Sequence, residues 1–392
     1  MWNILQIGSE KMLKLVVLSI SVMLLSPPVI NGILPEIRDS LGITQAQSEL
    51  ITTIPSIASL IVILLSSVIV KRVGMKKMIV AGLILVGIGG VLPVFANDFT
   101  VVLIGRTILG MGLGLYSPLA IDLINILFDE KERATLMGYR SAIEQLGQSM
   151  MSMAVGVLAL LSWNLSFLVY AIALVLAIAF FALVPELDSP NGSGNDVALY
   201  AKSKMTPLVY PIILIAIIVV LNGAAIGIRF PALAAEIMGD GYNSSVFFFL
   251  KPMIGICAGF FFGRLHQALG RKLLYIGLAC LGTASLLVGF SNGNFIVLAA
   301  GFLLSSLVPA WIFPFIFMMI SKKTDGSARK FAMSLVLVAL NATVFLMTPI
   351  VGLIERIVGS TALAAPYPVI GGLVFVALIS VMLFGGKMVE KY

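Results

Sequence analysis

Gly263-Arg-Leu-His-Gln-Ala-Leu-Gly-Arg-Lys272 is a short basic stretch between two long apolar runs, and Ser67-Val-Ile-Val-Lys-Arg-Val-Gly-Met-Lys76 lines up with it 196 residues earlier. In a chain of 392 residues that offset is half the length. Each stretch follows the second apolar run of its half. Two weaker echoes support the pairing. Asn31-Gly32 with Ile37-Arg38 recurs as Asn222-Gly223 with Ile228-Arg229, and Pro55 recurs as Pro252, at offsets of 191 and 197. Self-similarity at half the chain length reads as two structurally related halves.

Working outward from these stretches, apolar runs of about 18 or more residues begin near Leu13, Ser48, Met78, Thr100, Ala134 and Leu165. Six more begin near Leu208, Tyr242, Leu273, Asn294, Phe331 and Ala364. The chain is 60% hydrophobic, and that share of its length is close to the roughly 240 residues that twelve spans of about 20 would use. Only 11% of the residues are charged, against about 25% in a soluble domain, which excludes both a water-soluble fold and disorder. The runs are continuous rather than alternating, so the spans are helices and not barrel strands. The expected fold is therefore an all-α integral membrane protein, with twelve transmembrane helices in two six-helix halves related by a pseudo-twofold repeat. The halves are residues 1–184 and 208–392. Between them Pro185 to Pro207 is rich in Pro, Gly, Ser and Asn and reads as a cytoplasmic linker. The first run is too long for a signal-peptide core and has no small-residue cleavage pattern behind it, so it is expected to be retained.

Orientation follows from the basic residues. With the N-terminus inside, 19 of the 25 Lys and Arg fall in cytoplasmic segments, and only Arg38, Arg229 and Arg356 fall on the other side. This asymmetry places both termini in the cytoplasm. In a membrane chain the net charge of +7 reports that bias, and no nucleic-acid partner is expected.

Several chemistries are excluded. Cys257 and Cys280 lie inside apolar runs and form neither a disulfide framework nor a CxxC metal pair. The single histidine, His266, cannot build a His-based metal site or catalytic triad, and no cofactor or metal is expected. A Walker loop, a filter-like loop and an acidic ring are all absent, which argues against an ATP-driven pump and against a channel. Without a plausible His, Cys or clustered-carboxylate site the chain does not read as an enzyme.

The two basic stretches resemble the loop motif G-x-L-A-D-R-x-G-R-K that follows helix 2 in the major facilitator superfamily, and the resemblance extends over essentially the whole chain. The second copy keeps Gly263, Leu265, Gly270, Arg271 and Lys272, and the first keeps Arg72, Gly74 and Lys76. Lys71 and Gln267 stand where the motif has its acidic residue, which weakens the latch between halves that the family builds on it. A second family pattern, R-x-x-x-G, occurs in helix 4 as Arg106 to Gly110, followed by Gly112 and Gly114, and these glycines allow close helix approach. The glycine-proline pair of the family's antiporters in helix 5 is absent, since Gln148 follows Gly147. Ser26 to Arg38 and Leu50 to Pro55 are similar to the cyanate and nitroimidazole transporter group. The resemblance implies a multi-pass transporter of a bacterial plasma membrane, working as a monomer with a small-molecule substrate, protons and the lipid bilayer as its partners.

Ionisable residues inside spans are costly and are retained mostly where they face a cavity or a partner. Arg106 lies about 9 Å into helix 4, in its outer third, and Asp122 lies near the cytoplasmic end. Glu144 falls about 15 Å along helix 5, at the midplane of a core roughly 30 Å thick, with Arg140 four residues earlier on the same face. Lys251 falls near the midplane of helix 8. In the family architecture helices 5 and 8 meet between the halves, so Glu144 and Lys251 are expected to face each other. The expected proton-coupling residues are Glu144, Arg140 and Arg106. Lys251, Asn31, Asn222 and Asn341 are the expected substrate-binding residues, and Arg72, Gly74, Lys76, Gly270, Arg271 and Lys272 the gating loops. Plain readings stand beside these: a packing ion pair for Arg140 and Glu144, a snorkelling chain for Lys251, helix-to-helix hydrogen bonds for the asparagines, and a core or lipid-facing role for Phe247–Phe249 and Phe260–Phe262.

The leading expectation is a secondary active transporter that moves a small organic solute by alternating access with proton coupling. Arg106, Arg140 and Lys251 outnumber Glu144 at depth, which favours an anionic or neutral polar substrate. Drug efflux by antiport is the alternative within transport. A membrane sensor on the same fold is the alternative of another class, although the termini and linker offer no large soluble appendage for one.

Overall fold

The computed structural model describes residues 12–185, 209–323 and 326–384, so the linker expected at 185–207 lies, after Pro185, outside the described residues. Every regular element among the described residues is helical. In chain order these are α1 (Met12–Met23), α2 (Pro27–Leu41), α3 (Gln45–Val73), α4 (Met75–Val91), α5 (Phe99–Leu127), α6 (Glu130–Ala159) and α7 (Asn164–Leu183). The second set is α8 (Val209–Met238), α9 (Ser245–Leu269), α10 (Lys272–Gly289), α11 (Phe295–Leu304), α12 (Leu307–Lys323), α13 (Gly326–Val358) and α14 (Pro366–Phe384).

Among the described residues ten spans are long and apolar enough to cross a bilayer, α11 and α12 together forming one of them. The pair α1 and α2, bent by 47°, makes an eleventh when taken as one span. The remaining long helix is α6, thirty residues in length, whose apolar run is interrupted by Arg140, Glu144, Gln145 and Gln148. The helices begin close to the twelve expected starts. The widest shift is at α13, which opens at Gly326 because the polar Ser327 to Lys330 extends the helix ahead of its apolar part.

Local chemistry fixes the ends. Asp98 caps α5 by accepting from the backbone N–H groups of Thr100 and Val101, and Asn294 caps α11 in the same way through Ile296 and Val297. The bend between α1 and α2 falls just before Pro27 and Pro28, neither of which has an N–H to continue the ladder.

The helices form two compact units, one drawn from Met1–Ile30 and Ile54–Asp196, the other from Asn31–Thr53 and Val197–Tyr392. In the first, α4 and α5 cross with almost no side-chain volume between them. A Cβ added to Gly105 would stand 2.5 Å from the Gly89 carbonyl, and one on Gly112 would stand 2.5 Å from that of Gly82. Tails of lipid are as apolar as leucine, so this close backbone approach, rather than water exclusion, holds such helices together. The second unit has two apolar clusters. One gathers Ile212, Ala216, Leu278, Ile312 and Phe315, the other Ile226, Phe230, Phe248, Phe302 and Tyr367. Phe230 stacks on Phe302 with ring centroids 4.0 Å apart. Phe247 and Phe248 belong to this packing, whereas Phe260 and Phe261 point outward. Exposed leucines and isoleucines such as Leu160, Ile178, Ile296 and Leu383 clothe the outside, a surface suited to hydrocarbon and not to water.

Candidate transport site

Glu144 stands half-way along α6, about 21 Å from its first residue. Arg140 reaches it across one helical turn, with NH2 2.7 Å from the carboxylate, and both side chains are only slightly exposed. Around this pair α6 packs tightly: a Cβ on Gly147 would meet the Val22 backbone of α1 at 2.7 Å. The expected pair is thus formed, inside the first unit.

Arg106 is fully buried in α5. Its NH1 donates to the Tyr170 hydroxyl at 2.8 Å and its NH2 to the Pro27 carbonyl at 2.5 Å, while the Tyr170 hydroxyl donates to the Ser26 carbonyl at 3.0 Å. The guanidinium thereby clamps the bend between α1 and α2. A planar group with five fixed donors suits that task better than an ammonium.

Lys251 lies about 9 Å from the start of α9, nearer the helix end than the midplane expected for it, because the helix opens at Ser245 rather than at Tyr242. Its Nζ sits 4.4 Å from the centre of the Phe302 ring, a cation–π contact. A Cβ on Gly227 would come within 3.8 Å of it. No carboxylate among the described residues lies within ion-pair distance of Lys251. Lys251 and Glu144 belong to different compact units.

Two of the three asparagines are given over to neighbouring helices. Asn31 donates to the Gly227 carbonyl at 3.4 Å and accepts from Thr52 at 3.1 Å, and Asn222 donates to Ser285 at 2.6 Å. Both are fully buried. Asn341 is half-buried and donates to the Leu337 carbonyl of its own helix. In the loops, Gly74 at φ +89° and Gly270 at φ +52° adopt backbone conformations that side chains rarely take. Arg72, Arg271 and Lys272 are exposed, and Lys76 is largely buried with its Nζ 4.9 Å from the Phe181 ring centre.

One buried charge cluster escaped the sequence reading. Arg229 of α8 is ion-paired with Glu49 of α3, its Nε 2.7 Å from the carboxylate, and donates a hydrogen bond to Glu355 of α13 through NH1. Glu49 is completely buried, and Gln45 donates to the same carboxylate at 3.1 Å. These residues lie toward the ends of apolar runs, where a span count reads charge as surface. The pairing of Ile37-Arg38 with Ile228-Arg229 was the available signal.

The sequence profile of the Major Facilitator Superfamily matches residues 16–287. A bacillibactin exporter of Bacillus subtilis is 32% identical over 123 residues, covering 29% of this chain and 31% of that protein. A hexuronate transporter of the same organism is 30% identical over 154 residues, 39% of this chain and 36% of that one. The matched stretches thus span about a third of either relative. In three dimensions the chain is similar to a proton:xylose symporter bound to 6-bromo-6-deoxy-D-glucose, with a TM-score of 0.67 at 15% identity over 96% of both chains. It is also similar to a POT family transporter in complex with a thioalcohol-conjugated peptide, with a TM-score of 0.78 at 12% identity over 97% of both. A helical membrane fold that runs the length of the solved structures, and a family profile that covers most of the chain, lead to one assignment: the protein belongs to the Major Facilitator Superfamily.

Proposed function

We propose that this transporter moves a small organic anion across the plasma membrane by alternating access, with proton movement at Glu144 coupled to substrate occupancy and both termini in the cytoplasm. The observation that carries the reading is the Arg140–Glu144 pair, formed half-way along α6 and mostly out of water. An anion that draws Arg140 away strands the carboxylate, and a stranded buried carboxylate takes up a proton. Substrate and proton then load together through one switchable contact.

The choice of an anion rests on the excess of Arg106, Arg140 and Lys251 over Glu144 inside the spans. Arg106 is occupied at the helix bend, which leaves Arg140 and Lys251 as the substrate-facing cations. The hexuronate transporter acts on a carboxylated sugar, in line with this reading. The likeness of Ser26 to Arg38 and Leu50 to Pro55 to the cyanate and nitroimidazole group supports a small solute. The deciding experiment is uptake into proteoliposomes, across a panel of small carboxylates, neutral polar solutes and organic cations, with and without a pH gradient. Carboxylate accumulation driven by the gradient is expected. Accumulation of cations alone would refute the reading.

A further inference from the structure

Between α9 and α12 lies an open cleft of about 450 Å³ with almost wholly apolar walls, lined by Ile254, Cys257, Ala258, Phe261, Leu265 and Trp311 among others. That volume falls within the roughly 300–1,000 Å³ of small-molecule pockets. Its walls are braced, since the Trp311 indole N–H donates to the Ala258 carbonyl at 3.2 Å. Residues 251, 254, 258, 261 and 265 recur at alternating steps of three and four, which puts them on one stripe of α9. Lys251 therefore heads the stripe whose next members line the cavity, and Ile254 follows it by about 4.5 Å of helix rise. The cation is held only against the Phe302 ring, with no carboxylate in reach among the described residues.

We propose that this cavity and Lys251 form one amphiphile subsite, in which the apolar body of an organic anion fills the space between α9 and α12 and its carboxylate meets the Lys251 ammonium. The proposal rests on the anion-transport reading and narrows it, from small polar anions to anions that carry an alkyl or aryl body. The arrangement is complementary in both charge and polarity. A carboxylate supplies the counter-charge that Lys251 lacks, and the adjoining walls offer nothing to a polar tail. A purely polar anion of the same charge would leave the cavity unfilled.

Cys257 is an exposed thiol in the cavity wall and reports on it directly. In full-length Cys280→Ser protein in proteoliposomes, the rate at which a charged, water-soluble methanethiosulfonate modifies Cys257 is measured with octanoate, octanol or octylammonium present. Modification without additive, slowed about tenfold by octanoate at ten times its Kd, and little affected by octanol and octylammonium, is the expected result. In Lys251→Gln the advantage of octanoate over octanol should vanish. Ile254→Trp, which fills the cavity and keeps the lysine, should remove octanoate protection on its own, so a poorly folded Lys251 variant does not leave the matter open. Equal protection by all three additives, or by none, overturns the subsite. So does a Cys257 that the reagent never reaches, since the cavity would then face acyl chains of the bilayer. Gradient-driven carboxylate uptake in the same vesicles keeps the two readings apart: uptake without octanoate protection retires the subsite alone, and loss of uptake retires the transport reading.

Discussion

Tyr170 and Tyr367 play matching parts in the two units: each is fully buried near the start of the last helix of its set and donates its hydroxyl to a backbone carbonyl, at the bend after α1 in one case and within α8 in the other. Tyr170 bonds Ser26 at 3.0 Å and Tyr367 bonds Ala225 at 2.8 Å. They stand 197 residues apart, close to the offsets of the sequence repeat. In a segment with no water to substitute, the phenol is the partner that keeps such a carbonyl satisfied. Tyr170→Phe and Tyr367→Phe should each cost about 1–3 kcal/mol, seen as a lower temperature of thermal unfolding in detergent. Tyr170→Phe should be the worse of the two, because Arg106 loses the same hydroxyl. Equal stability of both variants to the parent would show that the bonds carry no weight.

Glu144→Gln keeps the size of the side chain and its hydrogen bonding but removes its titration. Accumulation against a gradient should be lost while exchange of substrate for substrate continues. A merely structural partner of Arg140 would instead lower the yield of folded protein and depress both activities together. Normal accumulation by the variant would make the protein a uniporter or place the proton elsewhere.

The Glu49–Arg229–Glu355 cluster lends itself to a double-mutant cycle. Arg229→Met leaves the fully buried Glu49 without its counter-charge and should destabilise by about 3–5 kcal/mol. Adding Glu49→Gln should recover a large part of that loss. Unfolding midpoints of the single and double variants provide the check, and strict additivity would mean that the two residues do not interact.

At Gly74 and Gly270 the backbone has a positive φ that other residues rarely adopt. Nothing lies within 4 Å of an added Cβ at either site, so crowding is not the issue. Leucine at either position should cost about 1–3 kcal/mol of backbone strain and slow transport without abolishing membrane insertion. Unchanged uptake rates in both variants would remove these loops from the transport cycle.

Orientation is tested by cysteines placed at Lys77 and Asp240, both exposed, in a background lacking Cys257 and Cys280. An impermeant thiol reagent added outside whole cells should reach the cysteine at 240 and not the one at 77. Labelling of both from one side would remove the twelve-span topology.

The helices were legible because apolar length is a strong signal in a bilayer, where each span must satisfy its own backbone. Even α6, the most polar of them, announced itself through a helical pair, Arg140 and Glu144, that the structure brings to 2.7 Å. The destinations of the other charges were harder to read. Arg106 lies at the depth expected for it, but its carbonyl partner exists only because the chain bends ahead of Pro27, and carbonyls leave no trace in a sequence. Glu49, Arg229 and Glu355 are far apart along the chain and sit near the ends of their spans, so only the packing of α3, α8 and α13 reveals them as one cluster. The helix that carries Lys251 opens at Ser245, three residues after the start expected at Tyr242.

The grouping of Asn31–Thr53 with the helices beyond residue 197 bears on how the chain tolerates being cut. A protein opened between Pro185 and Val209 yields two fragments, yet Glu49 would lie on one and Arg229 on the other, as would Asn31 and Gly227. The first fragment holds both segments of its own compact unit, whereas the second lacks Asn31–Thr53, which the first carries away with it. The dependence is therefore one-sided: the C-terminal piece needs the N-terminal one to complete its fold, and co-expression, rather than isolation of the C-terminal piece, is the route to a working complementation pair.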